Sequence, residues 1–216
     1  MIRVLCVVIG YVFGLFQTSY IYGRMNGIDI RDHGSGNAGT TNALRTLGKK
    51  AGVITFFGDA LKCLFAVLLV KALFGAQYDT PDDQMSVLLG VYTAMGVILG
   101  HNYPFYLKFR GGKGIAATGG MIASLNPVLM IMEIITFAGT VLITRYVSLG
   151  SILVVLELFV FVVVFGIQGK WGLAPAHQYE MYVCMLFLTL LAIWRHRENI
   201  KRLLTGTERK IGEKAE

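Results

Sequence analysis

Long apolar stretches separated by shorter polar segments are the main pattern of this 216-residue chain. A helix needs about 20 mostly apolar residues to cross a bilayer, with a usual range of about 17–25. A seventh stretch, at 115–125, is apolar but too short for a standard crossing. The pattern predicts an all-α membrane protein that forms a single domain over residues 1–216. The six longer predicted spans, the last taken with its neighbours, are 4–22, 51–74, 85–103, 127–146, 151–168 and 180–194.

The short segment 115–125 decides the predicted topology. If the chain crosses twice between residues 115 and 146, turning at 124–127, nearly all basic loop residues and the tail from Arg195 lie on one side. The acidic loop at 79–83 then lies on the other side. Because cytoplasmic loops are enriched in Lys and Arg, this predicts about seven helices, an N-terminus outside and a cytoplasmic C-terminus. A re-entrant hairpin at this segment gives the same sidedness and remains an alternative.

Composition and charge agree with a membrane protein. The chain is 55% hydrophobic and only 15% charged, whereas a soluble domain has roughly a quarter of its residues charged. Its formal net charge of +7 comes mostly from loops between spans, which indicates membrane topology and not a nucleic-acid partner. Cys6, Cys63 and Cys184 lie in apolar spans without metal-site spacing, so we expect packing roles.

A glycine-rich basic loop follows the third predicted span. Gly111, Gly112 and Gly114 surround Lys113, and an apolar run that resembles a helix start follows. Glycine lets the backbone approach a ligand closely, and N–H groups at a helix start form an anion site to which Lys113 adds a full charge. Lys113 is followed by glycine and not by Ser or Thr, so this is no Walker A loop. A plain turn between helices is the alternative.

A second polar stretch, at 29–45, precedes the second span. Its small hydrogen-bond donors suit a phosphate ligand better than a carboxylate side chain would. Arg45 and Lys49 are four residues apart and are predicted to share one helix face. A loop that merely caps the second span is the alternative. The candidate phosphate ligands of this stretch are Ser35, Gly36, Asn37, Thr41, Asn42, Arg45 and Lys49.

A third polar stretch, at 195–208, follows the last span. His196 and Asn199 are three residues apart and would face one way on a helix that continues that span, with Arg197 beside them. A basic tail facing lipid is the alternative. A smaller candidate is Ser151, at the cytoplasmic end of the sixth helix, for which helix capping is the alternative.

Several catalytic patterns are absent from the sequence. It has no Ser-His-Asp pattern, no HxxxxD acyltransferase motif and no aspartate-rich metal signature. Two phosphate-friendly loops with few carboxylates favour binding of polyanions without a divalent metal. We therefore expect neither a metal nor another cofactor.

These stretches resemble the three motifs of the bacterial acyl-phosphate:glycerol-3-phosphate acyltransferases, the PlsY family. The resemblance runs from about residue 19 to 212 and includes Asp59 and Lys62. Departures are minor: Thr40 replaces an expected alanine, Tyr103 an expected phenylalanine and Arg110 a common lysine. The matching positions are 34–37, Gly39, 41–42, Arg45 and 48–50; 100–101, Pro104 and 111–114; and 196–197, 199–200, 202–203 and 206–208.

The resemblance implies transfer of a fatty acyl group from acyl phosphate to the 1-hydroxyl of glycerol 3-phosphate. The products are lysophosphatidic acid and phosphate, in the first step of bacterial phospholipid synthesis. It also implies the bacterial cytoplasmic (inner) membrane, an active site that faces the cytoplasm, membrane lipid as a partner and no required protein partner. The catalytic candidates are Ser35, Arg45, Lys113, His101, His196 and Asn199. The substrate-binding candidates are Gly36, Asn37, Thr41, Asn42, Lys49, Gly111, Gly112, Gly114, Ser151 and Arg197.

Two questions stay open at the level of sequence. A transporter is the competing class, since Asp59, Lys62, Glu133 and Glu157 lie within spans. Against it, Asp59 and Lys62 are predicted to pair, and polar residues concentrate on one side and not at the membrane centre. The general base could be His101, His196 or a phosphate oxygen of the substrate, and we favour the phosphate.

Overall fold

The computed structural model describes residues 1–213, and these are mostly helical. They include one two-stranded antiparallel hairpin, Asp79–Thr80 with Asp83–Gln84. The last three residues of the predicted domain lie outside the described residues. The helices are α1 Ile2–Gly14, α2 Thr18–Met25, α3 Thr40–Leu47, α4 Lys49–Tyr78, α5 Met85–Asn102, α6 Ile115–Leu125, α7 Pro127–Thr144, α8 Val147–Ile167, α9 Pro175–Arg195 and α10 Arg197–Leu204.

Six helical segments within residues 1–213 are long and apolar enough to cross a membrane. The predicted all-α membrane class, with one further short apolar helix, is therefore confirmed. Which ends lie outside and which lie in the cytoplasm stays a prediction. The six segments are Ile2–Met25, Lys49–Tyr78, Met85–Leu107, Pro127–Thr144, Val147–Ile167 and Pro175–Arg195.

The first span is interrupted at residues 15–17, a feature that its apolar pattern does not predict. Ending a helix inside the protein leaves carbonyl groups that need donors. Lys62 Nζ donates to the Phe16 carbonyl at 2.6 Å, and Gln17 Nε2 donates to the Gly14 carbonyl at 3.0 Å. Gln17 Nε2 also reaches the His101 carbonyl at 3.1 Å, which joins the break to the end of α5.

Helices α1 and α5 pack with their backbones in contact. A Cβ added to Gly10 would lie 2.0 Å from the Thr93 carbonyl oxygen, and one added to Gly100 would lie 2.3 Å from that of Tyr11. Small residues allow such close approach between membrane helices. This packing makes α5 the central helix and holds its C-terminal end, with His101 and Asn102, inside the protein.

The short helix α6 ends where the sequence predicts a turn. Its length is about 17 Å at roughly 1.5 Å per residue, against a hydrocarbon core of about 30 Å. Lys71 Nζ donates to the Ser124 carbonyl at 2.9 Å, which satisfies a carbonyl of its last turn. Asn126 then caps α7, since its Oδ1 accepts from Val128 N at 2.8 Å. Helix α6 therefore ends at Leu125 and α7 begins at Pro127, and the N-terminal end of α6 lines the polar site.

Candidate active site

The three polar stretches meet around one cavity of about 250 Å³. Polar lining residues come mainly from the loop before α3, the end of the glycine-rich loop, α10 and the C-terminal segment. Apolar lining residues include Phe56 from α4, Phe137 and Val141 from α7 and Val147 from α8. The cavity can therefore take a ligand with a charged head and an apolar tail.

Most of the sequence-predicted site residues line this cavity, and a few do not. Gly36, Lys49, Gly111, Gly112 and Arg197 are not among the lining residues. The predicted residues that the fold brings together are Ser35, Asn37, Thr41, Asn42, Arg45, His101, Lys113, Gly114, Ser151, His196 and Asn199.

The predicted shared helix face of Arg45 and Lys49 is wrong. Gly48 has φ +89°, a backbone conformation that favours glycine; α3 ends at Leu47 before it, and a separate helix, α4, begins at Lys49. Lys49 is consequently exposed to solvent while Arg45 lines the cavity. The interpretation of Lys49 as a phosphate ligand has no support in this geometry.

Arg197 is also exposed and turned away from the cavity. Its guanidinium lies 4.7 Å from the centroid of the Trp194 ring and donates to the Trp194 carbonyl at 3.3 Å. The preceding arginine, Arg195, points inward and donates from Nη2 to the Gly112 carbonyl at 2.7 Å. The sequence did not show which of Arg195 and Arg197 faces inward, because α9 ends at Arg195 and a separate helix, α10, begins at Arg197.

Gly111 and Gly112 hold the glycine-rich loop against the end of α5. Gly111 N donates to the Asn102 carbonyl at 3.2 Å, and Gly112 N donates to the His101 carbonyl at 3.0 Å. A Cβ on Gly112 would lie 2.0 Å from His101 Nε2. These glycines therefore place the next residue, Lys113, in the cavity without lining it themselves.

Lys113 is the cation that the loop presents. Its Nζ donates to Asn199 Oδ1 of α10, which joins the second motif to the third. Burial lowers the pKa of Lys113 to about 8, while the negative charge of Glu208 acts in the opposite direction. The side chain is therefore mostly protonated at neutral pH and available to an anion.

Glu208 is a buried carboxylate that the sequence reasoning did not assign to the site. Its Oε1 accepts from Ser148 Oγ at 2.7 Å and from Asn199 Nδ2 at 2.7 Å, and its Oε2 accepts from Arg202 Nε at 2.7 Å. Burial raises the pKa of Glu208, but these hydrogen bonds outweigh burial and keep the pKa below its usual value. Glu208 thus orients the Asn199 amide so that its oxygen faces Lys113.

The Arg45 guanidinium has one nitrogen held by a backbone carbonyl and one without a partner within residues 1–213. Its Nη2 donates to the Arg209 carbonyl at 2.9 Å. Its Nε is buried and has no hydrogen-bond partner within residues 1–213. Burial lowers the pKa of the guanidinium from its ordinary value, but an arginine stays charged at neutral pH. A buried donor without a partner is costly, so this group favours binding of an anion.

Asn42 holds the loop that carries Ser35. Its Oδ1 accepts from Ser35 N at 2.9 Å, and its Nδ2 donates to the Ile30 and His33 carbonyls, each at 3.0 Å. Both amide protons are used in this way. Asn42 therefore positions the backbone of the first motif, and its amide nitrogen is not free for a substrate.

Comparison with known proteins identifies the family of this chain. Residues 4–206 match the profile of the family described as "Glycerol-3-phosphate acyltransferase". The chain belongs to this family. Curated glycerol-3-phosphate acyltransferases include one from Clostridioides difficile (strain 630), 45% identical over 99% of this chain and 97% of the relative. One from Thermus thermophilus is 39% identical over 96% of this chain and 94% of the relative.

Two solved structures resemble this acyltransferase along nearly its whole length. Both are crystal structures of PlsY (YgiH), an integral membrane glycerol 3-phosphate acyltransferase, and both are 34% identical to this chain. The glycerol 3-phosphate form has a TM-score of 0.82 and covers 97% of this chain and 96% of its own; the lysophosphatidic acid form has a TM-score of 0.79 and covers 97% and 95%. This chain is therefore a glycerol-3-phosphate acyltransferase of the PlsY type, integral to the membrane and multi-pass.

His101 of the acyltransferase is a hydrogen-bond donor toward the cavity. Its Nδ1 lies 2.9 Å from Lys62 Nζ, which also pairs with Asp59 Oδ1 at 2.8 Å, as predicted. An ammonium group only donates, so His101 Nδ1 accepts and the ring proton sits on Nε2. This tautomer leaves no free lone pair with which His101 could act as a base.

His196 has the opposite tautomer. Its Nδ1 lies 2.8 Å from the Ala192 carbonyl, which only accepts, so Nδ1 carries the proton and Nε2 has a lone pair. Burial lowers the pKa of His196 to about 4, with Lys113 adding to the effect. His196 is therefore neutral at pH 7 but a weak base.

The described residues contain no group of three or more His, Cys, Asp or Glu side chains that could hold a metal ion. Glu208 and Asp59 are carboxylates on the cavity wall, and each is already paired with a cation or hydrogen-bond donors. The arrangement suits binding of phosphate groups.

Proposed function

We propose that the acyl donor of this enzyme is an acyl phosphate and that its product is lysophosphatidic acid. The observation that carries the proposal is a cavity lined both by cationic donors and by apolar side chains. The PlsY neighbours include a glycerol 3-phosphate form and a lysophosphatidic acid form, one ligand with a charged group and one with a charged group and an acyl chain. Acyl phosphate combines the same features, a phosphate head and an apolar chain.

The reaction then needs positioning and charge stabilisation more than a covalent enzyme intermediate. The 1-hydroxyl oxygen attacks the acyl carbon, the acyl–phosphate bond breaks, and inorganic phosphate leaves with the bonding electrons. Arg45 and Lys113 neutralise the phosphates, and Ser35 and Thr41 offer further donors at the cavity wall. Asn199 orients Lys113, and Glu208 orients Asn199.

The apolar lining gives the acyl chain a place beside the charged heads. Phe56 on α4, Phe137 and Val141 on α7 and Val147 on α8 form it, and these helices also present apolar side chains to the membrane. An acyl chain can therefore lie along these helices while its phosphate reaches Arg45 and Lys113. The bilayer can hold the acyl chain of the donor and can receive the product.

A phosphate oxygen of the substrate is the favoured general base. His101 presents an N–H and not a lone pair, and the low pKa of His196 makes it a poor proton acceptor near neutral pH. A phosphate monoester has a second pKa of about 6, which is close to the working pH. This route requires donors that hold the phosphate near the attacking hydroxyl, and Arg45 and Lys113 supply them.

We expect His196→Asn to lower kcat by less than about tenfold, because general-base catalysis would contribute roughly 100- to 10,000-fold. The Asn amide can keep the donor to the Ala192 carbonyl while the Nε2 lone pair is lost. The acidic limb of kcat, near the second phosphate pKa, should remain in the variant. If the variant still binds glycerol 3-phosphate but loses nearly all turnover and the acidic limb, His196 is the base. His101→Asn is measured in parallel by the same criterion.

The function is tested by phosphate release from palmitoyl phosphate in membranes that contain EDTA. We expect release that depends on glycerol 3-phosphate and is accompanied by lysophosphatidic acid in equal amount. Addition of Mg²⁺ should leave the rate unchanged, since the cavity offers cations and N–H groups to the phosphates. Activity abolished by EDTA and restored by Mg²⁺, or no turnover with acyl phosphate, would refute the proposal.

The same assay tests the proposed site of action at the cytoplasmic face of the bacterial inner membrane. Glycerol 3-phosphate is charged and does not cross a lipid bilayer unaided. Inverted vesicles should therefore turn over added substrate, while right-side-out vesicles should do so only after they are made permeable. Equal rates in the two intact preparations would contradict the predicted sidedness.

A further inference from the structure

The chain after Glu208 runs along the edge of the cavity and contacts Arg45 directly. Arg45 Nη2 donates to the Arg209 carbonyl at 2.9 Å and approaches the Lys210 carbonyl at 3.5 Å. Two residues later, Ile211 lines the cavity itself. The segment 209–213 is therefore part of the wall in which Arg45 is held.

Arg145, at the end of α7, fastens this segment with two hydrogen bonds. Its carbonyl accepts from Ile211 N at 2.7 Å, and its Nη2 donates to the Ile211 carbonyl at 3.1 Å. Arg145 has φ +64°, a left-handed backbone conformation that is uncommon for residues other than glycine. Arg145 also ends α7, where its N–H donates to the Val141 carbonyl at 2.9 Å.

We propose that residues 209–213, fastened by Arg145, form a clasp that positions the Arg45 guanidinium for the substrate phosphate. A guanidinium is planar, so a carbonyl that holds Nη2 also fixes the direction of Nε–H. That Nε is buried and has no partner within residues 1–213. The clasp thus orders Arg45 before the substrate binds, and Arg145 acts as a positioning residue that touches no substrate.

The inference rests on the proposed role of Arg45 as a phosphate ligand. A structural role for the clasp, in which it only joins α7 to the C-terminal segment, would change stability without changing substrate affinity. The two roles separate because the positioning effect acts through Arg45 and must disappear when Arg45 is removed. Neighbouring residues that act as one unit show non-additive effects of this kind.

Arg145→Gly is the decisive variant, because glycine adopts φ +64° without strain and keeps the backbone bond to Ile211 N while losing the side-chain bond. We expect a rise in KM of about 3- to 10-fold, the worth of one ordinary hydrogen bond, with kcat changed by less than about twofold. The substrate whose KM rises should be the one whose KM rises in Arg45→Lys. Arg145→Lys, which keeps a donor, should restore KM to within about twofold of wild type.

The controls separate failure of the clasp from failure of the proposed role of Arg45. Lys201→Ala removes an exposed cation of α10 and should leave both constants unchanged. In an Arg45→Ala background, Arg145→Gly should have no further effect on KM. An unchanged KM in Arg145→Gly, or an equal effect in both backgrounds, overturns the clasp. If Arg45→Ala alone leaves KM unchanged, the proposed phosphate role of Arg45 fails instead.

Discussion

Lys113→Ala should lower kcat/KM for acyl transfer by roughly 10- to 150-fold. Losing a hydrogen bond from a charged donor typically costs about 1.5–3 kcal/mol, and that cost appears directly in the transition-state free energy. The loss should be larger in kcat than in 1/KM if Lys113 mainly stabilises the phosphate as it departs. Initial rates with palmitoyl phosphate and glycerol 3-phosphate, each varied in turn, measure both constants.

The pH dependence of the wild-type enzyme provides an independent measure of Lys113. With its pKa lowered to about 8, the side chain is charged below pH 8 and loses its charge above it. Because kcat/KM reports the free enzyme, it should fall along an alkaline limb with an apparent pKa of about 8. Lys113→Arg stays charged throughout and should lose that limb, although its larger guanidinium should lower the plateau.

A matched control distinguishes a local role from general loss of positive charge. Lys50→Ala removes an exposed lysine at the start of α4, and its kcat/KM should stay within about twofold of wild type, as is usual for surface changes. Full activity in both Arg45→Ala and Lys113→Ala membranes would remove these two residues from the phosphate site. If the alkaline limb persists in Lys113→Arg, the limb belongs to another titrating group.

The sequence predicted the membrane helices well because apolar length is a direct requirement of the bilayer. It did not predict the break at residues 15–17, since the donors that permit it, Lys62 and Gln17, become relevant only after the helices pack. The break between helices at 124–127 was predictable because Asn126 and Pro127 are local signals of a helix start. The break at 15–17 depends on residues distant in the sequence, whereas the break at 124–127 depends on local signals, so only the second was predictable.

The candidate site shows the same contrast between features set by local sequence and features set by distant partners. Donor-rich motifs pointed to Arg45 and Lys113, because a phosphate requires cations and N–H groups. The search for phosphate ligands passed over Glu208, whose role is to orient Asn199. Lys49 was included because helix periodicity was extended through Gly48, which separates α3 from α4. Roles that depend on how one side chain orients another were not readable from spacing.

Gly112→Ala should reduce kcat/KM by about 100-fold or more, although the residue does not line the cavity. An added Cβ would lie 2.0 Å from His101 Nε2 and 2.8 Å from the Ala38 carbonyl oxygen. The His101 ring cannot move aside easily, because Lys62 holds its Nδ1 in a buried network. The glycine-rich loop must therefore shift, and a displacement of about 1 Å in a catalytic group can cost roughly 100-fold.

Gly119→Ala, further along the chain within α6, is the matched control. A Cβ at Gly119 meets nothing within 4 Å, and alanine is favoured over glycine in a helix by about 0.5–1 kcal/mol. That variant should keep wild-type activity and unfold at an equal or higher temperature. The comparison of the two variants separates the effect of a methyl group as such from its effect at the contact with His101.

The reason for expecting so large an effect lies in the position of Gly112 between two parts of the site. Its N–H donates to the His101 carbonyl, its carbonyl accepts from Arg195, and the next residue is Lys113. A shift of the loop therefore moves the Lys113 ammonium away from Asn199 Oδ1 and from the phosphate. Gly112→Ala should accordingly lower the amplitude of the alkaline limb together with kcat. Near-normal turnover with an intact limb would mean that the loop relaxes without moving Lys113, and the coupling between the second and third motifs would be refuted.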